Sequence, residues 1–170
     1  MTLAILWACG KAPMEEALQK NDRGAVSQAL EQGADVNARL AGGETPLLRA
    51  VKSGQSSSAQ ALIDGGAELG VRDSDGNTLL HHAAANGMTG ICGLLLDRGL
   101  ALDAQGKGGA TPLHLAVANR RQETAKYLVR RGANLAAQDE GGRTPLDVVT
   151  QTGDTRFTHD LELAAATRQN

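Results

Sequence analysis

Aromatic side chains are almost missing from this sequence: they make up 2% of its 170 residues, as one Trp, one Tyr and one Phe. A core without them must pack small aliphatic side chains closely, as stacked helices do. The shortage also removes the stacking platforms on which single-stranded nucleic acids bind. An excess of one charge is lacking too, because 17 basic and 19 acidic residues leave a net charge of −2. Nucleic acid is therefore excluded as the expected partner.

Cysteine, proline and long apolar runs are equally scarce. The two cysteines, Cys9 and Cys92, are too few for the disulfide framework of a small secreted protein. Four prolines beside 21 glycines do not fit a disordered low-complexity chain. No apolar run reaches the ~18 residues of a membrane-spanning helix. What is present is 41% apolar residues, which suits one compact domain or one short repeat array.

The sequence repeats itself at intervals of 33 residues. The most regular copy is the phrase Thr-Pro-Leu-His-Leu-Ala that begins at Thr111, and similar phrases begin at Thr45, Thr78 and Thr144. Columns of glycine and leucine keep the same step, and a degenerate copy precedes them. We therefore expect a domain over residues 12–166 with five units, beginning near 12, 45, 78, 111 and 144, followed by a tail at 167–170.

Each unit carries the signals of two helices. The threonine can cap the first helix, because its hydroxyl accepts an otherwise unpaired backbone N–H, and the following proline gives up a donor that has no partner there. Gly54, Gly87 and Gly153 stand where the first helix should end in a left-handed conformation. A turn such as Asp-Gly or Gly-Gly precedes the next threonine. One unit alone buries too little apolar surface to fold, so neighbouring units must stack.

A 33-residue period with Thr-Pro-Leu-His-x-Ala resembles the ankyrin repeat, and the phrase at Thr111 fits it at every fixed position. The resemblance covers nearly the whole chain. It implies an all-α fold, an α-solenoid of stacked helix-turn-helix ankyrin repeats from which hairpin fingers project. It also implies that His81 and His114 are structural residues that tie neighbouring turns together by hydrogen bonds.

The histidines and the second cysteine invite a metal or catalytic interpretation. His81 and His114 occupy the same position in adjacent units, so we expect them ~8–10 Å apart, too far for a shared zinc ion. His82 is expected at a surface or groove, and Cys92 stands in a column of small residues and should fill the core. No nucleophile elbow, phosphate-binding loop or Cys-x-x-Cys pair occurs. The sequence therefore predicts no metal, no cofactor and no enzymatic activity.

Arg120 departs from the pattern, because it stands where sibling units have glycine. A residue other than glycine at positive φ costs on the order of 1 kcal/mol. Either the turn is locally altered, or strain is tolerated, or Arg120 makes a basic contact with a partner. Its unit is also the most basic, with Arg121, Lys126, Arg130 and Arg131, which a solvated helix face would explain equally well.

The first eleven residues do not belong to the repeat pattern. The stretch ending Leu-Trp-Ala-Cys at Cys9 resembles the end of a bacterial lipoprotein signal, in which that cysteine would be lipidated. Against this, the apolar run is short and no basic segment precedes it. The alternatives are an apolar arm packed on the first unit, or disorder. The lipoprotein interpretation predicts the bacterial cell envelope or periplasm, and the others predict the cytoplasm.

The resemblance implies that a partner protein binds the concave surface made by the fingers and the first helices. The candidate contact residues there are Glu44, Lys52, Asp75, Asn77, Asn86, Lys107, Asn119, Glu140, Arg143 and Gln151. The set is polar, mixed in sign and free of large anchors, so a modest or transient interface is expected from a monomer. One alternative is an envelope-anchored inhibitor or stabiliser of another bacterial protein. The other is that these residues are simply solvated.

Overall fold

The computed structural model describes residues 13–167, and this part of the chain contains ten α-helices and no β-strand. The chain divides into two compact units, one ending at Glu68 and the other beginning at Leu69. The predicted all-α class is confirmed. Cys9 and the apolar segment around it lie outside the described residues.

The first unit contains two helix pairs. Helix α1 (Pro13–Lys20) packs on α2 (Arg23–Glu31), and α3 (Pro46–Lys52) packs on α4 (Ser56–Asp64). Contacts also join α1 to α3 and α2 to α4. The two pairs are therefore stacked, with first helices in one layer and second helices in the other.

The second unit repeats this arrangement with three helix pairs. Its helices are α5 (Leu79–Ala85), α6 (Thr89–Asp97), α7 (Pro112–Ala118), α8 (Gln122–Arg131), α9 (Pro145–Gln151) and α10 (Thr155–Ala166). The first helices α5, α7 and α9 contact one another in series, and so do the second helices α6, α8 and α10. This two-layer stacking is the geometry of an α-solenoid.

The repeated threonines begin the first helices. Thr45 accepts a hydrogen bond from the backbone N–H of Leu48 at 3.3 Å, as an N-cap does. In α9 the arrangement is reciprocal, because Asp147 N–H donates to the Thr144 hydroxyl at 3.2 Å while the Asp147 carboxylate accepts from Thr144 N–H at 2.8 Å. The helices thus start where the sequence pattern places them.

The turn at Arg120 has the same left-handed form as its siblings. Its φ is 55°, beside 73° at Gly87 and 72° at Gly153, and its N–H donates to Val117 O at 2.9 Å as Gly87 N–H does to Ala84 O at 3.2 Å. The turn is not altered, so the strain of a side chain at positive φ is tolerated.

The core is aliphatic in both units. Leu47 and Leu62 are fully buried in the first, and Leu95 and Leu128 are fully buried in the second. Cys92 is also fully buried, and this burial raises the pKa of its thiol to about 12. Its predicted role as a small core filler is confirmed, because a thiol that stays protonated and shielded behaves as an apolar side chain.

Candidate functional site

Three closed turns, which we call the fingers of the second unit, precede its first helices. In the first finger (73–77), the second finger (106–110) and the third finger (139–143), the backbone N–H of the first residue donates to the carbonyl of the fifth, at 3.0, 2.9 and 3.0 Å. An isolated bridge between Arg72 and Thr78 flanks the first of them. The hairpin fingers are therefore tight turns and not extended ribbons.

A carboxylate folds the first and third fingers. Asp73 accepts the backbone N–H groups of Asp75 and Asn77 on Oδ1, at 2.9 and 2.8 Å. Asp139 likewise accepts those of Gly141 and Arg143, both at 2.9 Å. These side-chain bonds mimic a backbone turn.

Both finger carboxylates are acidic for a physical reason. The hydrogen bond and charge of Arg143 hold the pKa of the Asp139 carboxyl below its usual range. Burial by itself would raise the pKa of Asp73, but hydrogen bonds from Asn77, His82 and Asp75 outweigh it and the net pKa is lowered. Both groups are therefore ionised near neutral pH.

The second finger has no aspartate of its own, because Gly106 stands at the position of Asp73 and Asp139, and a side chain from the first finger bonds its backbone instead. The side-chain oxygen of Asn77 accepts the N–H of Lys107 at 3.0 Å, which links the first finger to the second. A Cβ on Gly106 would clash with Asn77 Oδ1 and lie 2.8 Å from His81 Nε2. Glycine is required there because two neighbouring side chains occupy the space.

Two further contacts join neighbouring fingers. Lys107 Nζ lies 3.2 Å from a carboxylate oxygen of Asp75, and Glu140 N–H donates to Gly108 O at 2.8 Å. The exposed lysine–aspartate pair contributes little energy, since such pairs are worth roughly 0–1 kcal/mol. The three fingers nevertheless form a continuous hydrogen-bonded series.

His81 and His114 pin the fingers to the first helices. Each imidazole uses Nδ1 at its own N-cap threonine, Thr78 or Thr111, where the threonine N–H donates to it at 3.1 Å. Each Nε2 lies 3.0 Å from a carbonyl oxygen of the next finger, at Ala110 for His81 and at Arg143 for His114. Burial lowers the pKa of His81, so its neutral form is favoured. Each histidine therefore connects two consecutive helix pairs of the second unit.

His82 was expected at a surface or groove, and the structure gives it a specific bond. Its Nε2 lies 2.8 Å from Asp73 Oδ2, and its side chain is 17% exposed. Sequence reasoning missed Asp73 and Asp139 as finger anchors. The signal available was an aspartate three residues before the turn glycine, Gly76 or Gly142, in two repeats of the second unit.

The structure changes the interpretation of one candidate contact residue, Asn77. It is buried, 8% exposed, and its amide is committed to Asp73 and Lys107. A side chain enclosed in this way positions its neighbours and does not offer a contact surface. Asn77 therefore has a structural role within the fingers.

The remaining candidates of the second unit reach solvent to different degrees. Those exposed are Asp75, Lys107, Asn119, Glu140, Arg143 and Gln151, whereas Asn86 is half-buried at the C-cap of α5. Four of the exposed residues have internal partners: Lys107 and Asp75 pair with each other, Arg143 pairs with Asp139 at 2.7 Å, and the Asn119 amide donates to Leu115 O at 2.8 Å. Glu140 and Gln151 therefore extend most freely from this surface.

In the first unit, the candidate residues Glu44 and Lys52 pair with each other. Lys52 Nζ lies 2.5 Å from Glu44 Oε1, and Arg49 lies 3.8 Å from the other oxygen. Arg49 also reaches Glu15 on α1 at 3.4 Å. This cluster is largely neutralised within the unit.

The basic residues around Arg120 are mostly engaged within the second unit. Arg121 Nε donates to Ala85 O at 3.0 Å, at the C-terminal end of α5. Lys126 pairs with Glu123 at 2.6 Å, and Arg131 pairs with Asp97 at 2.7 Å. Arg121, Lys126 and Arg131 are therefore held by partners within the second unit.

Residues 13–167 offer neither a metal-binding cluster nor a membrane-spanning helix. No group of three or more His, Cys, Asp or Glu side chains in that range is arranged to hold a metal ion. None of the ten helices there is both long and apolar enough to cross a membrane.

Stacked helix pairs with closed fingers define an α-helical repeat protein. The chain matches the family model of ankyrin repeats (3 copies) over residues 13–106 and again over 49–139. It belongs to the ankyrin repeat family. The search of curated proteins gave no match. Ankyrin repeats are generally protein–protein interaction modules, and the family is typically non-catalytic.

Proposed function

We propose that the second unit binds a partner protein, without catalysing a reaction, through the surface formed by its fingers and its first helices α5, α7 and α9. The observation that carries the proposal is the bonding of the fingers. Each one is tied to its neighbour or to a preceding first helix through Asn77, His81 and His114. A surface held in this way loses little conformational entropy on binding, which favours recognition.

The side chains on this surface indicate the kind of contact. Glu140 and Gln151 are exposed, and Arg143 and Lys107 add two cations that are only partly neutralised by their neighbours. The one exposed large apolar side chain among the described residues, Leu163 at 54%, lies on α10 and not on a first helix. A polar surface without aromatic anchors suits a transient partner of modest affinity.

The test is photo-cross-linking in the native host with the full chain. A photoreactive residue replaces Gln151 on α9 in one variant and Glu162 on α10 in a matched control, because both side chains are exposed at helical positions. We expect one discrete cross-linked protein from position 151 and none from position 162. The partner would then be purified, and Glu140→Ala should weaken its binding while Glu162→Ala should not.

Two outcomes would contradict the proposal. One is a discrete cross-link from position 162 only, which would place the interface on the second helices. The other is unchanged affinity when Glu140, Gln151 and Lys107 are all replaced by alanine. A retained melting temperature in each variant shows that lost binding is not lost folding.

A further inference from the structure

His82 is the link between helix α5 and the first finger. Its Nε2 lies 2.8 Å from Asp73 Oδ2, and both side chains are largely shielded from solvent, at 17% and 9% exposure. The other oxygen of Asp73 holds the backbone of the finger through Asp75 and Asn77. The Asp73 carboxylate therefore links helix α5 to the backbone of the first finger by hydrogen bonds.

The hydrogen-bonded series continues from the first finger into the second finger through Asn77. The Asn77 amide donates to Asp73 Oδ2 at 3.3 Å, the same oxygen that faces His82. The side-chain oxygen of Asn77 in turn accepts Lys107 N–H at 3.0 Å. A change in the bond between His82 and Asp73 is thus transmitted to the residues that place Asp75 and Lys107 on the surface.

We propose that His82 is a positioning residue for the partner-binding surface of the second unit, and that protonation of its imidazole tightens the first and second fingers against α5. An imidazolium donates a charge-assisted hydrogen bond to a carboxylate, which is stronger than the bond from neutral imidazole. The effect on binding rests on the proposed function. The tightening itself needs no partner.

The proposal depends on the proton of His82 and not on the protonation states of the groups around it. The charged and titratable groups on its own helix, on the first finger and on the helices packed against α5 are Asp73, Asp75, His81, Cys92, Asp97 and His114. Arg72 precedes the finger, and Arg121 donates to Ala85 O at the end of α5. Asp73 has a lowered pKa and stays ionised, whereas burial raises the pKa of Cys92 to about 12 and keeps it neutral. Burial lowers the pKa of His81, so this imidazole gains its proton only at more acidic pH.

The sign of the pH dependence follows from these states. The lowered pKa of Asp73 keeps its carboxylate charged on the acidic side of neutrality. Protonating His82 therefore adds a cation to an existing anion, and the fingers are held more firmly on the acidic side. Deprotonated His82 is a neutral donor, so its hydrogen bond to Asp73 is weaker.

The third finger is a matched control within the same unit. Asp139 folds it through Gly141 and Arg143 as Asp73 folds the first finger. The cation there is the Arg143 guanidinium, with Nη2 2.7 Å from Asp139 Oδ2. Arginine keeps its charge throughout the pH range of the experiment. The third finger should therefore show no transition in the imidazole range.

The experiment is amide hydrogen exchange of the isotope-labelled full chain, expressed as protection factors at about pH 5.5 and about pH 8. We expect the protection of the Asp75 and Asn77 amides to be about fivefold greater at the lower pH. The Gly141 and Arg143 amides should keep the same protection at both values. The protection factor corrects for the intrinsic pH dependence of exchange.

Two variants separate positioning by a proton from a merely structural role. His82→Gln keeps a hydrogen-bond donor that cannot titrate, and His82→Leu places there the residue that α7 has as Leu115. Both should abolish the pH difference, and the glutamine variant should retain more protection than the leucine variant. A wild-type chain with no pH difference, or a pH difference that persists in His82→Gln, would overturn the proposal. Because no partner is used, its failure is distinct from failure of the binding surface.

Discussion

Tyr127 lies across Gly93, so that a Cβ on that glycine would be 2.8 Å from the tyrosine hydroxyl oxygen. The contact joins α8 to α6 in the second unit. The same hydroxyl accepts a hydrogen bond from Arg131 at 2.6 Å, and Arg131 continues to Asp97 on α6. Glycine inside a helix is unfavourable, and here the space it leaves is filled by a neighbouring ring.

Two glycines of α6 should therefore respond differently to alanine. Gly90→Ala meets nothing within 4 Å and should raise the free energy of unfolding by about 0.5 kcal/mol through helix propensity. Gly93→Ala should gain less, because its methyl group must displace the Tyr127 hydroxyl. In a Tyr127→Phe background the gain at position 93 should return. Urea unfolding of the wild type, the three single variants and the double variant measures this, and equal gains at 90 and 93 in the wild-type background would contradict it.

Arg120→Gly should stabilise the protein. The residue has φ 55°, and relief of this conformation should gain about 1 kcal/mol relative to Arg120→Ala, which keeps the strain and removes only the side chain. The comparison between the two variants separates backbone from side-chain effects. If chemical denaturation shows the glycine variant to be no more stable than the alanine variant, Arg120 is not strained.

Ser58→Ala should also stabilise the protein. Ser58 is fully buried on α4 and its hydroxyl has no hydrogen-bond partner. Removing an unsatisfied buried hydroxyl should gain about 1 kcal/mol. The control is Thr124 on α8, whose hydroxyl lies 2.6 Å from that of Thr89, so Thr124→Val should lose about 1 kcal/mol. Thermal melts of both variants measure these changes in stability. A lower stability of Ser58→Ala would mean that the Ser58 hydroxyl has a hydrogen-bond partner.

Truncating the stacked leucines should be costly. Leu95→Ala and Leu128→Ala each remove a fully buried side chain and should lower the free energy of unfolding by ~2–5 kcal/mol. Leu163, 54% exposed on α10, is the control, and its replacement by alanine should change stability by less than ~0.5 kcal/mol. Melting temperatures of Leu95→Ala and Leu128→Ala that equal the parent's would show that the core is placed wrongly.

The helix starts were predictable because their causes are local. The threonine and proline at Thr45 and Thr144 cap a helix through residues at most three positions away, so the sequence shows the whole interaction. The buried Leu95 and Leu128 followed from the constant spacing of the repeat. The φ of Arg120 could be anticipated from Gly87 and Gly153 in the same column.

The finger contacts were harder to predict because they depend on how separate turns meet. Asn77 was assigned to the surface, but the absence of a side chain at Gly106 lets its amide reach Lys107 and become enclosed. His82 and Asp73 are nine residues apart and meet only once the first finger has closed beside α5. Such pairs can be identified only from the folded structure, because the repeat pattern of the sequence does not show which side chains meet.

Hydrogen exchange of the chain with and without its purified cross-linked partner tests the proposed surface most directly. We expect complex formation to slow exchange in the fingers at 73–77, 106–110 and 139–143 and at the exposed ends of α7 and α9. Exchange in α6, α8 and α10 should stay unchanged. Protection confined to those second helices, with the fingers unaffected, would contradict the account.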